Sequence, residues 1–209
     1  MSRRPDRCDL APPTNIVLAS RSVLGSIDLD PYSTKEINAL VQSAKIFDRN
    51  DGEDALHKII SQDWIIPGEG RVFVGPPTGL APSRKLFNKT LREYRKGSVQ
   101  QAILWVGHNE TIIKCPWLWD FPCCMPFKRL RPSWWDDELE TFRSISPSDW
   151  SAIFYLPPSS PPSQFQTMVA RFHTAFSHIG RIVFNELSGE GDWELSYKSI
   201  EKKPYNYRE

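Results

Sequence analysis

The chain has 209 residues, 40% of them hydrophobic and 24% charged, which is the composition of an ordinary globular protein. This length suits one full-sized domain rather than two, and it can bury a core without disulfides or metals as staples. The formal net charge of +1 excludes a protein whose whole surface attracts nucleic acid or an anionic membrane, so any contact with DNA has to come from a local basic patch.

The amino-terminal part is predicted to be an arm followed by a helix. Residues 1–14 include three arginines and are predicted to form a basic N-terminal arm, either disordered or in contact with phosphates. Apolar side chains at helical spacing predict a helix over residues 16–24, which Gly25 ends. The main domain is therefore expected to begin near residue 15.

A strand, a turn and a second helix are predicted next. Residues 27–30 alternate between apolar and acidic side chains, which predicts a short strand with carboxylates at its carboxyl end. Residues 31–32 are predicted to form a turn. Ser33 with Glu36 has the spacing of a capping box, which predicts the start of a helix that reaches residue 44.

The remaining elements predict a doubly wound α/β fold, a mostly parallel sheet with a methyltransferase-like (Rossmann-like) architecture over residues 15–185. A polar loop is predicted over residues 48–52, and residues 186–209 are predicted to be a polar C-terminal tail. The stretch from 115 to 135 is dense in Trp, Pro and Cys and is predicted to be an irregular insertion. The further predicted strands cover residues 71–74, 102–106, 152–156 and 181–184, and the further predicted helices lie near residues 56–64, 83–97 and 163–180.

Acidic and hydroxyl side chains cluster after the first predicted strand. In open α/β sheets, ligands bind beyond the carboxyl ends of the strands, where a carboxylate can accept hydrogen bonds from a ribose or hold a cation. A purely structural Asp-Pro turn is the alternative interpretation. The candidate cofactor-binding residues are Asp28, Asp30, Pro31 and Ser33.

A second motif follows the predicted strand over residues 71–74. The diproline leaves rigid carbonyl groups with few competing N–H donors, and such a carbonyl can accept a hydrogen bond from an exocyclic amine. A tight loop closure without chemistry is again the alternative. The candidate catalytic residues are Gly75, Pro76, Pro77 and Thr78.

Taken together, the two motifs resemble those of the phage-type DNA adenine-N6 methyltransferases. Residues 23–31, with Asn38 and Ala39 in the next helix, are similar to that family's cofactor-side motif. Residues 73–78 stand where the family has Asn-Pro-Pro-Tyr after an apolar strand. The resemblance covers residues 15–184.

The resemblance implies that a methyl group passes from S-adenosylmethionine to the N6 amine of adenine in DNA, without a metal. Asp28 and Asp30 would lie near the cofactor. The carbonyl group of Pro76 would accept a hydrogen bond from the amine, and the target base would be flipped out of the duplex into the pocket.

The chain departs from this pattern at two positions of the second motif. Gly75 replaces an Asn that accepts a hydrogen bond from the amine, and losing one such positioned group costs roughly a factor of 10²–10³ in rate. Thr78 replaces a Tyr that stacks on the base, a contact worth about 1–3 kcal/mol. The alternative function is therefore a catalytically inactive protein of the same fold, a pseudoenzyme that acts by binding DNA or a protein partner.

Basic residues and indole rings alternate within the irregular insertion, a pattern that suits phosphate contacts and base stacking. Tryptophans that pack a loop-rich core are the alternative, and the acidic residues that follow at 136–140 weaken the positive field. The segment also has the character of a protein-interaction surface, and a plain single-strand nucleic-acid binder is a third hypothesis. The candidate nucleic-acid-binding residues are Lys128, Arg129, Arg131 and Trp134.

Other function classes find little support in the sequence. No apolar run reaches the ~18 residues of a membrane span, and the amino terminus lacks a signal-peptide core. The cysteines contain no CxxC pair, the histidines have no metal-ligand spacing, and no P-loop is present. We therefore expect a cytoplasmic protein with reduced thiols, no membrane contact and no metal.

Overall fold

Strands and helices alternate along the first half of the chain, as predicted. The structure is a computed structural model that describes residues 10–52, 54–75, 77, 79–146, 150–159 and 162–184, so most of the predicted arm and the predicted tail over residues 186–209 lie outside it. The helices are α1 (Thr14–Leu24), α2 (Lys35–Val41), α3 (Ala55–Ser61), α4 (Leu80–Lys96), α5 (Asn109–Lys114), a 3-10 helix (Pro116–Asp120) and α6 (Pro162–Phe176). The strands are β1 (Leu10–Ala11), β2 (Ile27–Ser33), β3 (Ser43–Asp48), β4 (Arg71–Val74), β5 (Gln101–Val106), β6 (Cys123–Pro126), β7 (Ser133–Asp136), β8 (Thr141–Ser144), β9 (Ala152–Leu156) and β10 (Gly180–Val183).

A seven-stranded sheet in the order β10-β6-β9-β5-β4-β2-β3 forms the centre of the molecule. The neighbours among β2, β3, β4 and β5 are parallel, whereas β9 is antiparallel to β5 and β6, and β10 is antiparallel to β6. The sheet is therefore mixed, and the predicted parallel pairing holds only among β2, β3, β4 and β5. The cause is that β9 inserts between β5 and β6 and runs in the opposite direction.

Helices cover both faces of the sheet, as in a doubly wound fold. One face packs its apolar side chains with α1, α2 and α6, where Phe172 and Phe176 are fully buried. The other face packs with α3, α4, α5 and the 3-10 helix, where Leu86 and Trp117 are fully buried. Side chains of a strand alternate between faces, so successive residues of β4, β5 and β9 enter the two cores in turn.

Three short strands form a second sheet, in which β7 lies between β1 and β8. The segment predicted as an irregular insertion is therefore partly regular, because it contains β6 of the large sheet and most of β7. Leu10 pairs with Trp134 and Ala11 pairs with Ser133 in antiparallel register. Residues 10–14 therefore belong to the folded domain rather than to an arm, because their backbone is paired with β7 and continues directly into α1.

Three local features differ from the sequence predictions. Residues 43–48 form strand β3, although residue 44 was assigned to the preceding helix. Thr34, not Ser33, caps α2, because its Oγ1 accepts a hydrogen bond of 3.2 Å from the N–H of Ile37. Residues 31–32 are not a turn but an irregularity inside β2, where the register with β3 shifts.

Among the described residues, none of the helices combines the length and the apolar character that a membrane span requires.

Candidate functional site

The two motifs lie at the same edge of the sheet. β2 and β4 are adjacent and parallel, with Leu29 opposite Val72, so their carboxyl ends point the same way. The segment after Asp30 and the segment that begins at Gly75 therefore meet at one rim, which we call the carboxyl rim. Pro76 and Thr78 lie outside the described residues, whereas Gly75 and Pro77 are described.

The connections of the sheet reverse direction between β2 and β4. From β2 the chain continues through α2 to β3 on one side, and then returns through α3 to β4 on the other side of β2. α2 packs on one face of the sheet and α3 packs on the other. Ligands of open α/β proteins bind at such topological switch points, so the fold marks this part of the rim as the candidate site.

Asp30 is a buried carboxyl group at the switch point, with a relative exposure of 2%. Alternation along β2 places it on the face that α1 and α2 cover, opposite to Leu29. Burial raises the pKa of Asp30 to about 6, although hydrogen bonds from the N–H of Tyr32 and the hydroxyl of Ser33, and the charge of Arg49, oppose the rise. A cationic partner would therefore stabilise the ionised form of this side chain.

The irregularity at residues 31–32 shapes the strand end around Asp30. Pro31 has no N–H for the ladder, and a bulge is one of the few places in a sheet that accepts proline. The guanidinium of Arg49 lies 5.9 Å from the ring centre of Tyr32, and the N–H of Arg49 donates to the carbonyl of Ser33 at 2.9 Å. Bulges of this kind commonly redirect side chains beside active sites.

Asp28 is at the opposite end of β2, contrary to the predicted position at the carboxyl end. Its oxygens accept hydrogen bonds from Nε and Nη2 of Arg71, at 2.9 and 3.0 Å, and from the N–H groups of Glu69 and Arg71. Burial raises the pKa of Asp28, but the hydrogen bonds and charge of Arg71 outweigh it, so the pKa lies below its usual value. Asp28 therefore holds the start of β4 against β2. Of the two aspartates, only Asp30 remains a candidate residue of the site.

Sequence reasoning missed Asp48, which it placed in a polar loop. Asp48 ends β3 and pairs with Ser33, so it lies at the carboxyl rim on the strand next to Asp30. It is partly exposed, and one carboxylate oxygen accepts a hydrogen bond of 2.8 Å from the N–H of Asn50. The apolar pair Ile46-Phe47 followed by an acidic residue could have indicated a carboxylate at the end of a strand. This pattern was overlooked because β3 itself was not predicted.

Gly75 faces open space. A Cβ atom built on Gly75 would have no heavy atom of the described residues within 4 Å, apart from its own chain neighbours. Residue 75 follows β4 in phase with Arg71 and Phe73, the residues on the same face as Asp30. On the other side of the loop, the carbonyl of Pro77 accepts a hydrogen bond of 2.7 Å from the hydroxyl of Ser83, which ties the loop to the start of α4.

The basic segment of the insertion leaves the sheet at the same rim. β5 and β6 are both antiparallel to β9, with Leu104 and Cys123 opposite the same residue, Phe154, so β6 also ends at the carboxyl rim. The three predicted cationic residues follow directly and have exposed side chains: Lys128, Arg129 and Arg131.

Trp134 is placed differently from these three residues. It is half-buried in the small sheet, with the guanidinium of Arg143 at 6.0 Å from its ring centre. Arg143 in turn forms an ion pair of 2.7 Å with Asp136. The basic segment therefore lies at the end of β6, whereas Trp134 belongs to the small sheet.

The described residues contain no group of three or more His, Cys, Asp or Glu side chains that could hold a metal ion. Burial raises the pKa of Cys115 and of Cys123 to about 11, so these thiols are protonated and unreactive at neutral pH.

No protein-family model matches this chain, and no curated protein matches it at a significant level. The residues of the carboxyl rim are therefore the basis for assigning a function.

Proposed function

We propose that this chain is an S-adenosylmethionine-dependent methyltransferase-like protein that acts on the N6 amine of adenine in DNA. The observation that carries the proposal is that β2, β3 and β4 are adjacent and parallel, so that the segment after Asp30, Asp48 and Gly75 all lie at the same rim of the sheet, beside the topological switch point. The resemblance of both motifs to the phage-type enzymes supports the same conclusion.

The side chains at the rim fit the cofactor chemically. A carboxylate of raised pKa, such as Asp30, favours a cationic amino group, which would hold it in the ionised form. Asp48, on the neighbouring strand, supplies acceptors for ribose hydroxyl groups. The bound cofactor supplies a methyl group on a positively charged sulfur.

The target base fits the neighbouring part of the rim. The loop after β4 carries the diproline, in which the carbonyl group of Pro76 would accept the hydrogen bond of an exocyclic amine. A Cβ atom at Gly75 would meet no described residue within 4 Å, so residue 75 does not obstruct the approach of a base. The exposed cations at the end of β6 would hold DNA phosphates on the same side of the sheet.

Calorimetric titration with S-adenosylmethionine tests the proposal. We expect heat of binding for the unmodified protein and at least tenfold weaker binding for Asp30→Asn, because a hydrogen bond to a charged group is worth about 1.5–3 kcal/mol. Asp63→Asn is the matched control, since Asp63 is exposed and pairs with Lys96 at the far end of α4. No heat and no thermal shift at millimolar cofactor would overturn the proposal.

A second candidate function is a protein of the same fold that binds DNA or a protein partner without methyl transfer. The observation that favours it is the glycine at position 75, which offers no side chain to the amine. Transfer of a labelled methyl group to mixed-sequence DNA separates the two functions. Robust incorporation by the unmodified protein eliminates the second candidate.

A further inference from the structure

A large aromatic side chain projects from the carboxyl rim beside the basic segment. Phe127 directly follows β6 and its side chain has a relative exposure of 63%. The ring is next in the sequence to exposed cations, and an apolar side chain beside basic residues is the combination found where proteins insert side chains into DNA.

The backbone under Phe127 is firmly held. Its N–H donates a hydrogen bond of 3.1 Å to the carbonyl of Ile179, and the preceding residue, Pro126, pairs with Gly180 of β10. β6 also pairs with β9, so two strands support the point from which the ring projects. The ring therefore stands on a rigid base at the rim.

Phe127 and the diproline loop lie on the same rim of the sheet. β4 and β6 are separated by β5 and β9, which is three strand spacings, or about 14 Å. A base that rotates out of a duplex leaves a gap in the stack that has to be filled or closed.

We infer that Phe127 enters the base stack of DNA at the position that the flipped adenine vacates, while Lys128 and Arg129 contact the flanking phosphates. This inference rests on the proposed function and adds the residue that stabilises the opened duplex. Apolar side chains of other DNA-binding proteins insert between base steps in the same way, next to basic residues.

The test uses two 30-bp duplexes of the same mixed sequence, one intact and one with a single abasic site that mimics the vacated position. Their affinities for the full chain are compared by fluorescence anisotropy at low salt. We expect the unmodified protein to bind the abasic duplex at least about fivefold more tightly than the intact duplex, which corresponds to one aromatic–base stack.

Three variants make the result specific. Phe127→Ala should remove this preference and Phe127→Trp should keep it, whereas Ile65→Ala should not alter it, because Ile65 is 79% exposed but far from β6 in the fold, after α3. Lys128→Glu with Arg129→Glu should weaken both duplexes equally. An unchanged preference in Phe127→Ala, or no preference in the unmodified protein, overturns the inference while cofactor binding measured by calorimetry still supports the proposed function.

Discussion

Two aspartates only two residues apart on β2 occupy opposite electrostatic environments. Asp28 has a guanidinium and two backbone N–H groups as partners, which hold its pKa below the usual value. Asp30 is equally buried but has weaker partners, so burial raises its pKa to about 6. Two carboxylates of one short motif are thus distinguished by their neighbours and not by their sequence.

The raised pKa of Asp30 predicts a stability cost at neutral pH. The folded pKa of about 6 lies above the usual 3.8, so the folded protein binds the proton more tightly and stability falls as pH rises from about 4 to 6. Asp30→Asn removes this loss. We expect its free energy of unfolding to exceed that of the unmodified protein by about 3 kcal/mol at pH 8, with no difference below pH 4.

Urea unfolding at pH 4, 5, 6 and 8 measures this effect, with the exposed Asp63→Asn as the control. A variant that binds S-adenosylmethionine less well yet unfolds less easily is the signature of a ligand-binding carboxylate. If Asp30→Asn were less stable at pH 8, the carboxylate would be stabilising the fold and the interpretation of Asp30 would be incorrect.

Gly75 is the position at which activity is expected to respond most to a single change. Gly75→Asn would place an amide oxygen in open space, on the face shared with Asp30, where it can accept a hydrogen bond from the target amine. We expect methyl incorporation into DNA to rise by up to about 100-fold, the size of one positioned hydrogen bond in catalysis. Adding Thr78→Tyr should improve base capture further.

Gly75→Ala is the matched control, because it adds a Cβ without an acceptor. Equal methylation rates for Gly75→Asn and Gly75→Ala would contradict the role of residue 75 in contacting the amine.

Sequence patterns identified the strands whose side chains are almost all buried and missed strands whose side chains are only partly buried. β4 and β9 were predicted with their observed bounds because β9 is a short apolar run and β4 is apolar after Arg71, and clear turn signals follow both strands. β3 was missed because it is an edge strand whose side chains are only partly buried, so no alternation marks it. β7 and β8 are polar and pair mainly with each other and with β1, a contact that depends on residues distant in the chain.

The candidate site was predictable in its motifs but not in its geometry. Gly75 directly follows β4, as predicted, whereas Asp30 lies inside β2, three residues before its end. The sequence did not distinguish Asp28 from Asp30. Proline is rare inside strands, so the strand was predicted to end before Pro31. The bulge instead lets β2 continue to Ser33, which leaves Asp28 near the beginning of the strand. Asp48 required the position of β3, which is a property of the sheet rather than of the local sequence.

At the level of elements, the contact between β10 and β6 depends on Gly180. A Cβ atom at this position would lie 2.3 Å from the carbonyl oxygen of Met125, closer than any real contact. Gly180→Ala should therefore push β10 away from β6 and lower the free energy of unfolding by about 1–3 kcal/mol. Urea unfolding measures this loss. Gly75→Ala is the control, because its Cβ atom has free space and the free energy of unfolding should be nearly unchanged. Equal stability of the two variants would show that β10 can shift without cost.

Across the whole molecule, a net charge of +1 means that only a local group of cations could attract a polyanion such as the DNA of the proposed function. The exposed lysine and arginines after β6 emerge at the carboxyl rim, whereas Asp28 and Arg71 neutralise each other at the opposite rim. These cations therefore lie on the same rim as Gly75 and the segment after Asp30.

The strand order has a consequence for synthesis on the ribosome. β6 lies between β9 and β10, both of which are encoded later than β6. In a nascent chain that has emerged only as far as β8, β2 to β5 have their partners among themselves apart from one open edge of β5, whereas β6 lacks both of its neighbours. Emergence of residues 152–156 supplies the strand that joins β6 to β5, so we expect the half of the sheet that carries Phe127 and the basic segment to close last.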